Sequence, residues 1–429
     1  MQPSPHKRRG KSHANTAKTR NHSKGGESVL IIENGRVFPM CEDPIENGCV
    51  LIKEGKILRV DTHCTPKERA GATVLDAGGG WILPGIIEAH CHLGISEEKT
   101  GLQGDDCNET TDPITPYLRA IDAINPMDAA FHNAVRAGIT GAMIGPGSSN
   151  VVGGQFAFLK TDGRSVDEMV VLAPAAMKVA FGENPKTNYS GQGKMPATRM
   201  SIAGMLREEL TAARAYLAKK EAAQKSGGEF EEDFRKECWL PVLRREIPLK
   251  AHAHRTDDIL TAIRIAREFD LRLTLDHCTE GHLIARQVKE SGFPAIVGPS
   301  IASRNKVEVQ YADFKTAGIL ADEGVTVAIT TDHPVSLLQY LPIYAGIAAR
   351  EGLGVMRALR AITCDAAAIC GVDDRLGTLE PGKDADIAVF SGNPMEVFTE
   401  TLYTLIGGEV LYDHRRERQG VTQGGQKNG

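Results

Sequence analysis

GGGWILPGIIEAHCHL, residues 78–93, is the stretch of sequence that decides the fold. It combines an apolar run at 81–87 with a His-x-His motif at His90 and His92. Alternate residues of a strand share a face, so the two histidines are predicted to project together. Two neutral imidazoles at a strand end offer two nitrogen donors to one divalent metal ion. Because a lone His-x-His pair is more often a solvated or core pair, this interpretation depends on partners elsewhere in the chain.

Such partners occur at regular intervals along the chain. Four later apolar segments carry ionisable residues at or near their carboxyl ends: Lys178 in 170–181, His252 and His254 in 248–254, His277 in 272–277, and Asp332 after 325–331. Strands and helices alternate through this region, which favours a parallel (β/α)8 TIM-type barrel. Functional residues of such barrels lie at the carboxyl ends of the strands, so we expect these side chains to meet at one mouth.

The flanking segments read as antiparallel sheet. Short apolar runs surround the turns Asn34-Gly35 and Glu54-Gly55, which predicts two hairpins. Further strand patterns follow in 376–390 and 407–412, so the two chain ends are predicted to form one small composite β-sandwich. The predicted divisions are a disordered basic tail (1–27), the first part of the sandwich (28–80), the barrel (81–365), the second part of the sandwich (366–415) and a disordered tail (416–429).

Composition excludes several classes of function. A chain of 429 residues can hold a barrel and a smaller domain, and its net charge of −5 argues against nucleic-acid binding by the folded part. No apolar run approaches the ~20 residues of a membrane helix, so no membrane partner is expected. The nine cysteines lack CxxC spacing, which predicts reduced thiols and a cytoplasmic location.

Five segments in this order resemble the amidohydrolase superfamily, in particular its imidazolonepropionase-like branch: PGIIEAHCH, KAHAH, LDHCTEGH, TTDHP and LGTLEPGKDADIAVF. The resemblance spans residues 28–413 and implies a (β/α)8 barrel with a composite β-sandwich, usually as a homo-oligomer. It implies one or two divalent ions, Zn²⁺ with Fe²⁺ or Mn²⁺ as alternatives, and these ligands: His90, His92, His252, His277 and Asp332. Lys178 matches a carboxylated lysine that bridges two ions, with Glu183 as the alternative acidic ligand.

The resemblance also implies the chemistry. Asp332 matches the aspartate that takes the proton of the attacking water, and His277 either holds the substrate carbonyl oxygen or binds a second metal. His254 is expected to face the substrate. We therefore expect a metal-dependent hydrolase of a small-molecule carbon–nitrogen bond, in a cyclic amide, an N-acyl amino acid or a small dipeptide.

Two rival interpretations stay open. An imidazolonepropionase of histidine breakdown ranks lower, because the loop at 93–116 lacks the substrate-binding pattern of that enzyme. A catalytically silent scaffold ranks lower still, because such relatives typically lose metal ligands that this chain retains.

Overall fold

The computed structural model describes residues 29–98 and 101–418. The predicted tail 1–27 and most of the predicted tail 416–429 lie outside the described residues. Within these two ranges, no helix is long and apolar enough to cross a membrane.

Strands form two separate sheets, and helices fill the connections between the later strands. In chain order the strands are β1 (Leu30–Val37), β2 (Ile45–Lys53), β3 (Lys56–Asp61), β4 (Thr73–Asp76), β5 (Trp81–Pro84), β6 (Ile86–Cys91), β7 (Ile139–Ile144), β8 (Val152–Lys160), β9 (Val170–Ala180), β10 (Leu249–Ala253), β11 (Leu273–His277), β12 (Ala295–Val297), β13 (Val327–Ile329), β14 (Ile387–Phe390), β15 (Thr401–Ile406) and β16 (Glu409–Asp413). The α-helices are α1 (Pro66–Arg69), α2 (Ala129–Arg136), α3 (Val166–Met169), α4 (Glu183–Ser190), α5 (Arg199–Ser226), α6 (Phe234–Glu237), α7 (Leu240–Leu243), α8 (Thr256–Glu268), α9 (Ala285–Ser291), α10 (Thr316–Asp322), α11 (Leu341–Ala348), α12 (Val355–Ala361) and α13 (Cys364–Cys370).

The second sheet confirms the predicted barrel. Strands β6 to β13 are neighbours in chain order and curl into a nearly closed, mostly parallel barrel with alternating helices. One strand departs from the parallel prediction, because β8 runs antiparallel to both β7 and β9. Residues 145–151, which join β7 to β8, are too few for the helical crossover that parallel neighbours need. The chain therefore turns straight back.

The first sheet joins the two ends of the chain. Its order is β16-β15-β14-β5-β1-β2-β3, with β4 paired to β1. The 81–87 run, predicted as one strand, is split between the two sheets at Gly85, so the barrel begins at Ile86 and not at residue 81. A Cβ on Gly85 would lie 2.0 Å from the Thr140 Oγ1 atom. Because no side chain fits at this position, the connection between β5 of the first sheet and β6 of the barrel requires glycine at residue 85.

One of the two predicted hairpins is wrong. Asn34-Gly35 does not reverse the chain, because β1 continues through it and pairs with β2 on both sides of an irregularity in register. Asn34 adopts a φ of +60°, as a bulge residue can, and the strand bends without turning back. The second hairpin, β2 and β3 around Glu54-Gly55, is confirmed.

Candidate metal centre

His90, His92 and Asp332 converge at the carboxyl end of the barrel. His90 and His92 lie at the end of β6, and Asp332 follows β13. The Asp332 Oδ1 atom is 3.4 Å from His90 Nε2 and 3.2 Å from His92 Nε2. Donors at about 2.1 Å from a tetrahedral Zn²⁺ lie about 3.4 Å from each other, so this spacing fits one ion.

On the far sides of the rings, a hydrogen bond of His92 and an ion-pair contact of His90 direct the lone pairs inward. His92 Nδ1 lies 2.7 Å from the Gly145 carbonyl oxygen, which can only accept, so Nδ1 carries the proton. His90 Nδ1 likewise faces an Asp276 carboxylate oxygen at 3.0 Å.

In these tautomers both Nε2 atoms present lone pairs towards Asp332 Oδ1, which has no hydrogen-bond partner. Without a metal ion, protons compensate the group: Cys107 and Asp332 outweigh burial and raise the pKa of His92 to about 10, and the Lys178 ammonium lies 3.5 Å from His90 Nε2. A divalent cation can replace protons at such donor atoms, so this set fits a metal ion.

A second cluster of imidazoles lies beside the first. His252, His254 and His277 are buried, and their ligand atoms all lie within 4.8 Å of one another. His277 Nδ1 lies 2.7 Å from the Gly298 carbonyl oxygen, and His254 Nδ1 lies 2.7 Å from Thr279 Oγ1. The structure thus places His254 with the two predicted ligands, although we expected it to face substrate.

Lys178 lies next to the first group. It is fully buried near the end of β9, with Nζ 3.5 Å from His90 Nε2. Burial lowers the pKa of the Lys178 ammonium to about 8. The fraction of neutral amine near neutral pH is therefore larger than in an ordinary lysine, and the neutral amine is the form that reacts with carbon dioxide. For Glu183, the structure shows a main-chain N–H that donates to the Glu308 carboxylate, and the carboxylate of Glu183 is in neither ligand group found among the described residues.

Sequence reasoning missed a buried network behind His90. Asp276 Oδ1 accepts hydrogen bonds from Lys250 Nζ at 3.2 Å and from Thr274 Oγ1 at 3.0 Å. Burial by itself raises the pKa of Asp276, but Lys250 and His90 hold that pKa well below its ordinary value. The ionised carboxylate therefore favours a proton on the His90 Nδ1 atom, which it faces at 3.0 Å.

A second missed group is Glu88, which accepts hydrogen bonds from Thr331, the residue before Asp332. Its Oε2 atom accepts from the main-chain N–H and the hydroxyl of Thr331, and its Oε1 atom accepts from the His90 main chain. Asp332 and His277 have φ values of +55° and +69°, conformations that cost non-glycine residues about 1–3 kcal/mol each. At Asp332, the Glu88 contacts with Thr331 and the hydrogen bond from the Asp332 main-chain N–H to Thr330 Oγ1 hold the backbone in its conformation.

A cavity of about 410 Å³ opens onto both groups. Its lining includes His92, Asp332, His252 and His254 from the candidate centre. The remainder is rich in small polar side chains and has one ammonium: Ser96, Asp105, Cys107, Asn108, Ser148, Asn184, Thr279, Ser300, Ser303, Asn305 and Lys306. A cavity of this size and polarity suits a small polar molecule.

Comparison with known proteins agrees with this architecture. The profile of the amidohydrolase family matches residues 81–411. The chain is 28% identical to the amidohydrolase tasK of Hapsidospora irregularis over 392 residues, covering 85% of this chain but only 40% of that protein. It is 25% identical to the imidazolonepropionase of Sphingopyxis alaskensis, covering 85% and 92% of the two chains. A solved amidohydrolase from Thermotoga maritima is 40% identical, with a TM-score of 0.86 over 90% of this chain and 100% of that one.

Proposed function

Because the chain belongs to the amidohydrolase family, we propose that it hydrolyses the carbon–nitrogen bond of a small amide or cyclic amide with a divalent metal ion. The observation that carries this proposal is the convergence of His90 Nε2, His92 Nε2 and Asp332 Oδ1 beside the polar cavity. Nitrogen and carboxylate donors suit Zn²⁺, and they also suit Fe²⁺ or Mn²⁺.

Asp332 is the proposed proton acceptor. A bound divalent ion would supply a lowered water pKa and a polarised substrate carbonyl. Asp332 then removes the proton of the attacking water and returns it to the leaving nitrogen. Burial alone raises the pKa of Asp332, but the neighbouring imidazoles of His277, His90 and His92 hold it well below 3.8. The carboxylate is therefore in its basic form at neutral pH.

The hydrogen bond of His277 favours one of its two expected roles. Its Nδ1 proton is directed at the Gly298 carbonyl oxygen, and burial lowers the pKa of the ring to about 4. A neutral ring in this tautomer presents only a lone pair at Nε2, so it cannot donate to a substrate carbonyl oxygen. We therefore propose that His277, like His252, serves as a metal ligand.

We propose two alternative roles for Lys178, as a carbamate or as an ammonium. Its neutral amine can add to carbon dioxide and lose a proton, which gives a carbamate whose oxygens could bridge two ions. Alternatively its ammonium remains a buried cation next to His90 and helps to hold Asp332 ionised. The 3.5 Å separation of Lys178 Nζ from His90 Nε2 supports a place in the centre for either form.

Imidazolone hydrolysis is a second candidate. It is favoured by the 25% identity to an imidazolonepropionase over 92% of that enzyme. A silent scaffold is disfavoured, because such relatives typically lose metal ligands and this chain keeps two groups of candidate ligands at the mouth of the barrel.

A substrate screen tests the proposal. Zinc-loaded protein is incubated with N-acyl amino acids, small dipeptides, cyclic amides and 4-imidazolone-5-propionate, and released amine or ring opening is followed. We expect turnover in at least one class that disappears in Asp332→Asn. Protein that binds no metal and turns over none of these compounds would contradict the proposal and support the scaffold.

A further inference from the structure

Cys49 and Cys64 form a pair of thiols in the first sheet, which the chemistry proposed above does not use. Cys49 lies on β2, and Cys64 lies between β3 and α1. Their Sγ atoms are 2.7 Å apart, which is closer than non-bonded sulfur atoms normally approach and longer than the ~2.05 Å of a disulfide bond. Both residues are free thiols in the structure. The two sulfur atoms are therefore placed to form a covalent bond after a small side-chain rotation.

The backbone around both cysteines is held by contacts that do not involve sulfur. Cys49 is opposite Asp61 in the antiparallel ladder of β2 and β3. Cys64 precedes Thr65, the N-cap of α1, whose side chain accepts from the Glu68 main-chain N–H while the Glu68 carboxylate accepts from the Thr65 main-chain N–H. These contacts position the two side chains before any bond forms, so a cross-link requires little movement of the backbone.

The two thiols differ in their access to solvent. Cys49 is 1% exposed and packs with Ile31 and Leu51, whereas Cys64 is partly exposed beside the same cluster. Burial raises the pKa of the Cys49 thiol to about 12, and burial also raises the pKa of Cys64. An oxidant from solution therefore reaches Cys64 first, and Cys49 reacts only with the sulfur beside it. The raised pKa values make the first step slow, because the thiolate is the nucleophile.

We propose that Cys49 and Cys64 form a disulfide when the protein meets a low-molecular-weight disulfide, and that this bond stabilises the edge of the first sheet. The Cys64 thiolate attacks one sulfur of the oxidant, which breaks the S–S bond of the oxidant and releases one small thiolate. The Cys49 thiolate then attacks Cys64 Sγ in the mixed disulfide and releases the second small thiolate. Two protein thiols are oxidised, their two protons pass to the two released thiolates, and one small disulfide is reduced to two thiols.

The stabilising effect follows from the position of the bond in the sheet. β3 is the last strand in the order of this sheet, and elements at an edge open more readily than core strands. The bond joins β2 to the segment that follows β3, between cysteines that are 15 residues apart. Closing a loop of this length in the unfolded chain favours folding on the order of 100-fold in the equilibrium constant.

Peptide mapping after controlled oxidation tests the inference. Full-length reduced protein is incubated with glutathione disulfide, the remaining thiols are blocked with N-ethylmaleimide, and a tryptic digest is analysed by mass spectrometry. We expect peptide 37–53, which holds Cys49, to be linked to peptide 60–67, which holds Cys64. The oxidised protein should also unfold at a higher urea concentration than the reduced protein.

Three variants assign the bond. Cys64→Ser should lose the linked peptides and the rise in the urea midpoint together. Cys49→Ala removes the pair from its buried side and should give the same result. Cys41→Ser is the matched control, because Cys41 is an exposed cysteine in the same tryptic peptide as Cys49, and this variant should retain both the link and the rise. Circular dichroism of the reduced variants checks that each one folds.

The mapping result depends neither on bound metal nor on turnover, so it fails or succeeds independently of the proposed function. Separate N-ethylmaleimide adducts on Cys49 and Cys64 in the fully incubated wild type would overturn the inference. A glutathione adduct that persists on Cys64 would overturn it as well, because Cys49 would then not reach the mixed disulfide. Loss of the link in Cys41→Ser would assign the bond to Cys41 and overturn the pairing. A linked protein with an unchanged urea midpoint would overturn the stabilising role.

Discussion

Substitution of Asp276 is expected to change both the folding stability and the metal affinity, and the two effects can be measured separately. One oxygen of its buried carboxylate faces His90 Nδ1 at 3.0 Å, and the other accepts from Lys250 Nζ at 3.2 Å. Asp276→Asn keeps the shape of the side chain but removes its charge, and its amide nitrogen can take the position that faces His90. We expect a loss of folding stability through Lys250 and a separate loss of metal affinity through His90.

The expected loss of stability follows from the pair with Lys250. Two unit charges 3.2 Å apart attract by about 5 kcal/mol at an effective dielectric constant of 20. Removing one partner of a buried pair typically costs ~3–5 kcal/mol, because the other charge is left uncompensated. Asparagine keeps an acceptor for the Lys250 ammonium, so we expect a fall near the lower end, about 3 kcal/mol in the free energy of unfolding.

The expected loss of metal affinity follows from the tautomer of His90. An amide nitrogen that donates to Nδ1 would place the ring proton on Nε2, where a ligand lone pair is needed. Replacing such an orienting partner typically lowers metal affinity ~10–100-fold. Urea denaturation of chelator-stripped protein measures the first effect, and Co²⁺ titration of the folded protein measures the second.

The double variant Asp276→Asn/Lys250→Met separates the two effects. It should recover most of the lost stability, because no buried ammonium remains unpaired, but it should not recover the metal affinity. The reasoning would be refuted by a single variant as stable as the wild type with unchanged affinity. It would also be refuted by recovery of affinity in the double variant, since the tautomer argument does not involve Lys250.

Three further predictions concern catalysis, Lys178 and the junction of the two sheets. Asp332→Asn should lower kcat by ~10²–10⁴-fold with a much smaller change in KM, measured by steady-state kinetics, and a near-normal kcat would assign the proton to another group. Lys178→Ala should regain part of its activity with added short carboxylates if the carbamate forms, whereas a wild-type rate without additions would leave Lys178 structural. Lys160, together with Lys56 and Arg375, outweighs burial and lowers the pKa of Asp384 to about 2, so the stabilising effect of the Asp384 carboxylate is complete above pH ~4 and is lost as pH falls through 2. Asp384→Asn should therefore lower stability at neutral pH and flatten the denaturation profile between pH 4 and 2, and an unchanged profile would contradict this assignment.

Most correct predictions from the sequence concern residues at the carboxyl ends of barrel strands. The two-residue period of a strand places His90 and His92 together, and the parallel barrel brings Asp332 to the same mouth. The same period contained a signal that went unused. Lys250 is two residues before His252, so the strand period places it on the same face, and a lysine buried in the barrel needs a buried counter-ion.

Other features of the fold and of the site were only weakly indicated by the sequence, or not indicated at all. The reversed direction of β8 could have been inferred from the short connection at 145–151, but apolar runs look alike in both directions. The break at Gly85 depends on its contact with Thr140, a residue distant in sequence. Glu308 lies in an irregular segment after β12, where no periodicity indicates direction, and only the folded chain shows which histidines it faces.

Turnover measured against bound metal shows whether hydrolysis depends on the ion held by His90, His92 and Asp332. Chelator-stripped protein is loaded stepwise with Zn²⁺, and metal content and hydrolysis of the best substrate from the screen are determined in the same samples, for the wild type and for His92→Asn. We expect that stripped protein is inactive, that activity rises with occupancy of the first group, and that His92→Asn loses both that ion and turnover. Full hydrolysis by metal-free protein, or full metal content and activity in His92→Asn, would contradict this expectation.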